Sequence, residues 1–187
     1  LISRGIKPHE NLKEKFKDMS LYEAALYYKS EYGIKDCTET IMAGVNALLA
    51  DFYKYKAPPK EGAAGFLSEL ERRHVKMCVA TATDAPLVNA ALKRCGMLRF
   101  FSEIFTCTEV GSGKDKPCIF NAALSFLGTP KSGTWVFEDA LYAVETAKAA
   151  GFNVAGIYDR FEKNAEAVIK KSDVYIRSFK EAGDLLD

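Results

Sequence analysis

The sequence lacks a surplus of charge, a long apolar run and a paired-cysteine motif, and it has only two histidines. Each shortage removes a class of function. The chain carries 26 basic and 25 acidic residues, a formal net charge of +1. So even a balance gives no electrostatic basis for gripping a nucleic-acid backbone or an anionic membrane, and neither partner is expected. Basic runs such as Lys170–Lys171 are short and read as solvated helix ends. The longest apolar runs fall short of the roughly 20 residues that span a bilayer, and no signal peptide is visible. Five cysteines, Cys37, Cys78, Cys95, Cys107 and Cys118, are odd in number and form no C-x-x-C pair. They read as reduced, buried thiols of a cytoplasmic protein, Cys78 and Cys107 lying in apolar strand-like runs. His9 and His74 sit near no cysteine cluster, which argues against zinc. A nucleotide-binding loop is missing as well. The pattern G-x-x-x-x-G-K-[ST] needs glycine where Thr108 stands and a hydroxyl where Asp115 stands, although Gly113 and Lys114 are in place.

What is present is enough for one sizeable core and a smaller module: 187 residues, 48% hydrophobic. The first sixty residues read as helical. "SLYEAALYYKSEYG" opens on Ser20 with Glu23 three residues on, a capping box. Leu21, Ala25, Tyr28 and Tyr32 share a face, and Gly33 is placed to end the helix. In the next helix Ile41, Val45, Leu48 and Phe52 form one stripe, read as core or helix–helix packing. Pro58 and Pro59 in "APPKEG" cannot both continue a helix. A boundary is therefore placed there, with a helical domain over 1–57 and an α/β domain over 58–187.

Beyond the prolines, strand and helix patterns alternate. Strands are predicted at "VKMCVAT" (75–81), "EIFTCT", "TWVFED", "NVAGIY" and "DVYI", with helices between them. The closing "SFKEAGDLL" reads as a helix with Ser178 and Glu181 as a second capping box. Such alternation argues for βαβ units and a Rossmann-like parallel sheet covered by helices on both faces. Ligands of open parallel sheets bind beyond the carboxyl ends of the strands. At those ends stand the hydroxyls of Thr81 and Thr83, the ammonium of Lys114, and the carboxylates of Glu138 and Asp139. Converged on one rim, they would suit a phosphoryl group with Mg²⁺: carboxylate oxygens for the metal, lysine and hydroxyl for the phosphate. Each also has a plain structural reading. Thr81 ends a strand, Lys114 sits in a solvated loop, and the acidic pair caps the next helix.

These segments together resemble the haloacid dehalogenase-like hydrolase superfamily, in the helical-cap branch near β-phosphoglucomutase and phosphoglycolate phosphatase. "VKMCVATATD" is similar to its second motif, which puts Thr81, with the backbone of Ala82, on the phosphoryl group. "GKDKPCIFNAAL" is similar to its lysine segment, which makes Lys114 the family lysine. "WVFEDALYAVETAKAAGF" is similar to its E-D-S-x-x-G-x-x-A-A-x-A-A-G motif, which makes Glu138 and Asp139 the Mg²⁺ ligands, Asp139 the firmer. Asp115, Cys118, Ala140 and Ala143 depart from these patterns. The larger departure is that no D-x-D occurs in the chain. The family's first strand, which carries that motif with the nucleophile, is expected between the strands ending at Thr81 and Asp139. The expectation is that it lies in an N-terminal segment outside the given sequence, "LISRG" reading as mid-helix. The resemblance implies a Mg²⁺-dependent phosphohydrolase acting on a small phosphorylated metabolite, with a helical cap over the site. Lys17 and Ser20 are candidate substrate contacts in that cap. A phosphomutase on the same scaffold and a non-catalytic domain lacking the nucleophile are the alternatives. Substrate identity and oligomeric state stay open.

Overall fold

The structure is a computed structural model that describes residues 1–16 and 19–186. Lys17 therefore lies outside the described residues. A 3₁₀ turn at Ile2–Arg4 and the short α1 (Leu12–Lys15) lead into α2 (Leu21–Tyr32) and α3 (Thr38–Tyr55). Ser20 caps α2 as its sequence predicts: its hydroxyl accepts the N–H of Glu23, whose carboxylate accepts the N–H of Ser20. Ser20 is 2% exposed, its side chain engaged in the helix cap. The expected stripe on α3 is only partly internal. Ile41 is buried, whereas Leu48 is 84% exposed and Phe52 is also exposed, because nothing among the described residues covers that end of the face.

The α/β region follows as α4 (Ala63–Arg72), β1 (Val79–Thr81), α5 (Ala85–Arg94), β2 (Ile104–Thr106), α6 (Cys107–Val110), α7 (Cys118–Leu127), β3 (Trp135–Glu138), α8 (Leu141–Ala149), β4 (Asn153–Ile157), α9 (Ala165–Lys171) and β5 (Val174–Ile176). All pairings are parallel, but the strands form two sheets. One is β1–β2, with Ala80 opposite Phe105; the other is β3–β4–β5, with Val136 opposite Val154 and Gly156 opposite Tyr175. Between them lies a cavity of about 900 Å³, walled by Val79 and Ala80 of β1 on one side and by Trp135 to Glu138 of β3 on the other. Helices cover both faces. Val154 of β4 points into a cluster with Ile119, Phe120, Val144, Phe152 and Val168, from α7, α8, α9 and the turn before β4. Its neighbours Ala155 and Ile157 point the other way, into Phe66, Leu70 and Ile176. This alternation is the period-two pleat of a strand buried on both sides.

Four expectations are corrected. The first strand is shorter than 75–81. Residues 75–78 lie outside regular strand, although the Ser102 N–H still bonds the Met77 carbonyl, because their other edge faces the cavity without a ladder partner. Cys107 opens α6 instead of extending β2, since Thr106 caps that helix in a capping box with Glu109. The chain end is a 3₁₀ turn, Phe179–Leu186, without a second capping box: Ser178 Oγ accepts the Lys180 N–H and bonds the Glu61 carbonyl. The thiols are free but not uniformly buried, Cys37 and Cys118 being exposed. Cys78 is pushed up to about 11 by burial and then by the charge of Glu103. Among the described residues no helix is long and apolar enough to cross a membrane.

Two outcomes are expected. Iodoacetamide at pH 8, followed by mass spectrometry, will mark Cys118 and Cys37 at least about tenfold faster than Cys78, whose thiolate is scarce at that pH. Gly62 has φ 79°, and a Cβ there would stand 2.5 Å from the backbone nitrogen of Lys180. Gly62→Ala is therefore expected to cost about 2 kcal/mol or more, read from urea unfolding, because backbone cannot step aside.

Candidate active site

The parallel strands aim their carboxyl ends at one rim, and three of the sequence-flagged side chains meet there. Glu138 ends β3 and is 7% exposed. Its Oε2 accepts a bond from Lys114 Nζ at 2.7 Å, and Lys114 reaches it from the loop between α6 and α7. Its Oε1 accepts the N–H groups of Asp139 and Ala140 at 3.0 and 3.2 Å, so the same carboxylate also caps the start of α8. Burial opposes ionisation of Glu138. The Lys114 charge and hydrogen bond, with the two N–H groups, outweigh it and hold the carboxyl below its usual range.

Asp139 is the contrasting member of the pair. Burial, and then the charge of Glu138, push its pKa up, and the ammonium of Lys60 offsets only part of this. Lys60 Nζ lies 3.0 Å from Asp139 Oδ2 and 2.8 Å from Asp159 Oδ2, and bonds the Tyr158 carbonyl at 2.9 Å. Burial works against its charge, but these carboxylates raise its pKa. Asp159 is fixed in turn by the Phe161 N–H and is held below its usual range: burial opposes this, and Lys60 leads the groups that prevail.

Thr81 ends β1 across the cavity. Its hydroxyl accepts the Thr83 N–H at 3.0 Å, a turn that leaves Ala82 exposed at the tip. Neither Thr81 nor Ala82 touches the Lys114–Glu138 pair through a hydrogen bond given by the structure. The tip is tied to the helical region and to the lysine side of the site. Asp84 accepts from Asn46 Nδ2 of α3 at 2.5 Å and from Thr108 Oγ1 of α6 at 2.6 Å, and Tyr53 of α3 bonds Thr83 at 3.1 Å. Among the described residues no group of three or more His, Cys, Asp and Glu is gathered as a metal cage. Both oxygens of Glu138 are engaged by Lys114 and backbone N–H groups, and Asp139 shares Oδ2 with Lys60.

A family description, haloacid dehalogenase-like hydrolase, matches residues 4–157. The chain belongs to that family. Among curated proteins it is 28% identical over 144 residues to validoxylamine A 7'-phosphate phosphatase of Streptomyces hygroscopicus subsp. limoneus, covering 73% of this chain and 66% of that one. It is 31% identical over 132 residues to the protein CbbY of Cereibacter sphaeroides, covering 67% and 55%. The chain thus spans only about half to two thirds of the length of these relatives. The crystal structure of CbbY from Rhodobacter sphaeroides in complex with phosphate superposes with a TM-score of 0.81 at 20% identity, over 97% of this chain and 84% of that one. The fold is that of a haloacid dehalogenase-like hydrolase of the CbbY and β-phosphoglucomutase type.

Lys60, Asp159 and Asp84 were not reached from sequence. Lys60 lies in a proline-rich turn and Asp159 in a loop, where no periodicity marks a residue. Asp84 carries only the signal of an N-cap, a role its side chain does not perform. The acidic pair should respond oppositely to neutralisation. Glu138→Gln strands a largely buried ammonium and is expected to cost about 3 kcal/mol of unfolding free energy. Asp139→Asn removes a poorly compensated charge and is expected to leave stability equal or higher, both read by denaturant unfolding.

Proposed function

We propose that the native protein is a Mg²⁺-dependent phosphohydrolase that cleaves a small phosphomonoester through an aspartyl-phosphate. The observation that carries the reading is the buried Lys114–Glu138 pair at the end of β3, beside an Asp139 whose charge is only partly compensated. Structural charges are usually neutralised in place. A carboxylate left in deficit, here the one that follows the cavity-lining Glu138, is where a cation is stabilised. Asp139 is the direct oxygen ligand in this reading. Both oxygens of Glu138 are already engaged, so it reaches a hydrated ion only through water, and it aims Lys114. The similarity to validoxylamine A 7'-phosphate phosphatase supports the substrate class.

The chain's own groups then divide the work. Lys114 and the Thr81 hydroxyl, with the Ala82 N–H, hold the non-bridging phosphoryl oxygens and stabilise charge as it moves onto them. When bound, Mg²⁺ supplies positive charge that offsets the repulsion between an anionic nucleophile and the phosphate. The nucleophile is an aspartate of a D-x-D segment seated as a parallel strand between β1 and β3. Its carboxylate oxygen forms the bond to phosphorus as the ester oxygen leaves with a proton, and water afterwards cleaves the acyl-phosphate. The helical region, fastened to the Thr83–Asp84 turn by Asn46 and Tyr53, closes over the site and limits bulk water.

The native protein carrying that segment should release phosphate from p-nitrophenyl phosphate with Mg²⁺ and stop when the metal is chelated. Lys114→Ala and Asp139→Asn should each lower kcat/KM about 10²–10³-fold, and Thr81→Ala about tenfold. Rates unchanged in the Lys114 and Asp139 variants would overturn the assignment.

A further inference from the structure

Lys60 belongs to the connection between α3 and α4, and nothing in a proline-rich linker calls for a cation. Yet its ammonium donates to Asp159 Oδ2 and the Tyr158 carbonyl and lies 3.0 Å from Asp139 Oδ2 as an ion pair, so three oxygens surround it at one point of the rim. Two carboxylates and a carbonyl around a positive centre are the surroundings that a hard metal ion also seeks. The lysine therefore stands as a covalently tethered cation at the edge of the acidic pair.

We propose that Lys60 is a positioning residue that sets the affinity of this site for a divalent cation. The inference rests on Asp139 being a ligand of that ion. Three consequences follow from the geometry. Lys60 occupies one oxygen of Asp139, so an arriving ion competes for it or is confined to the other oxygen. The fixed charge sits within a few ångströms of any ion that Asp139 holds, and like charges at that separation weaken binding even in a watery setting. When the ion takes Asp139, Lys60 keeps its bonds to Asp159 and Tyr158 and stays in place, so it acts as a standing counterweight. Because Lys60 is carried by the α3–α4 connection, a change in the path of that connection alters cation affinity at Asp139 directly.

The test is Mn²⁺ alone, titrated into the native protein and followed by the electron paramagnetic resonance of the free ion. Lys60→Met should bind Mn²⁺ at least about tenfold more tightly than the parent. Lys60→Gln, which keeps a donor for the Tyr158 carbonyl, should do the same if the methionine variant folds poorly. Lys60→Arg keeps the charge and should stay within about threefold of the parent. Unchanged or weaker Mn²⁺ binding in both neutral variants overturns the proposal. Asp139→Asn separates this from the parent reading. If it abolishes the tight Mn²⁺ site while the Lys60 variants bind like wild type, only the Lys60 inference fails; if it leaves Mn²⁺ binding intact, the ligand assignment fails and the inference with it.

Discussion

The buried bond between Lys114 and Glu138 is the constraint on which the site depends. No ladder hydrogen bond joins β1–β2 to β3–β4–β5. The two sheets are bridged by helices packed across them and by the Lys114–Glu138 contact, which spans from the β2 side to the end of β3. Pairing in a largely dry setting requires good geometry on both partners, because each charge loses its water. Glu138 meets that demand by also accepting two backbone N–H groups. The same bonds set where α8 begins and where Asp139 stands, so one carboxylate serves the fold and the rim together.

The charges of the rim form a graded series. Lys114 and Glu138 are matched and enclosed; Lys60 is shared between Asp159 and Asp139; Asp139 is left with the least compensation. A purely structural cluster would be expected to balance each of its members. The deficit is concentrated on Asp139, which follows the cavity-lining Glu138 in the turn between β3 and α8. Asp84 adds a mechanical link, since one carboxylate joins α3, the turn after β1 and the helix that precedes the Lys114 loop. A displacement of the helical region is therefore felt on both sides of the candidate phosphate position.

Much of this was legible in the residues. The alternation of apolar strands with 3.6-periodic helices read correctly as parallel α/β, and Glu138 and Asp139 stand where the pattern put them, between the end of a strand and the start of a helix. What escaped did so for physical reasons. The 75–78 stretch has strand composition, but regular strand needs a partner on an edge, and composition carries no information about neighbours. Cys107 looked like strand until the capping box of Thr106 and Glu109, visible as T-x-x-E, claimed it for a helix. The α3 stripe had helical spacing, which states that a face is apolar but not what covers it. Lys60 and Asp159 are 99 residues apart, and their meeting is a product of topology that no local pattern encodes.

The chain has a single tryptophan, Trp135, at the first position of β3 and on the wall of the cavity between the sheets. It is 41% exposed, so its indole borders both solvent and the open edge. Anything that seats there and dries the wall shifts indole emission toward shorter wavelengths. The molecule thus carries its own optical gauge of whether a strand is seated between β1 and β3, with no label needed.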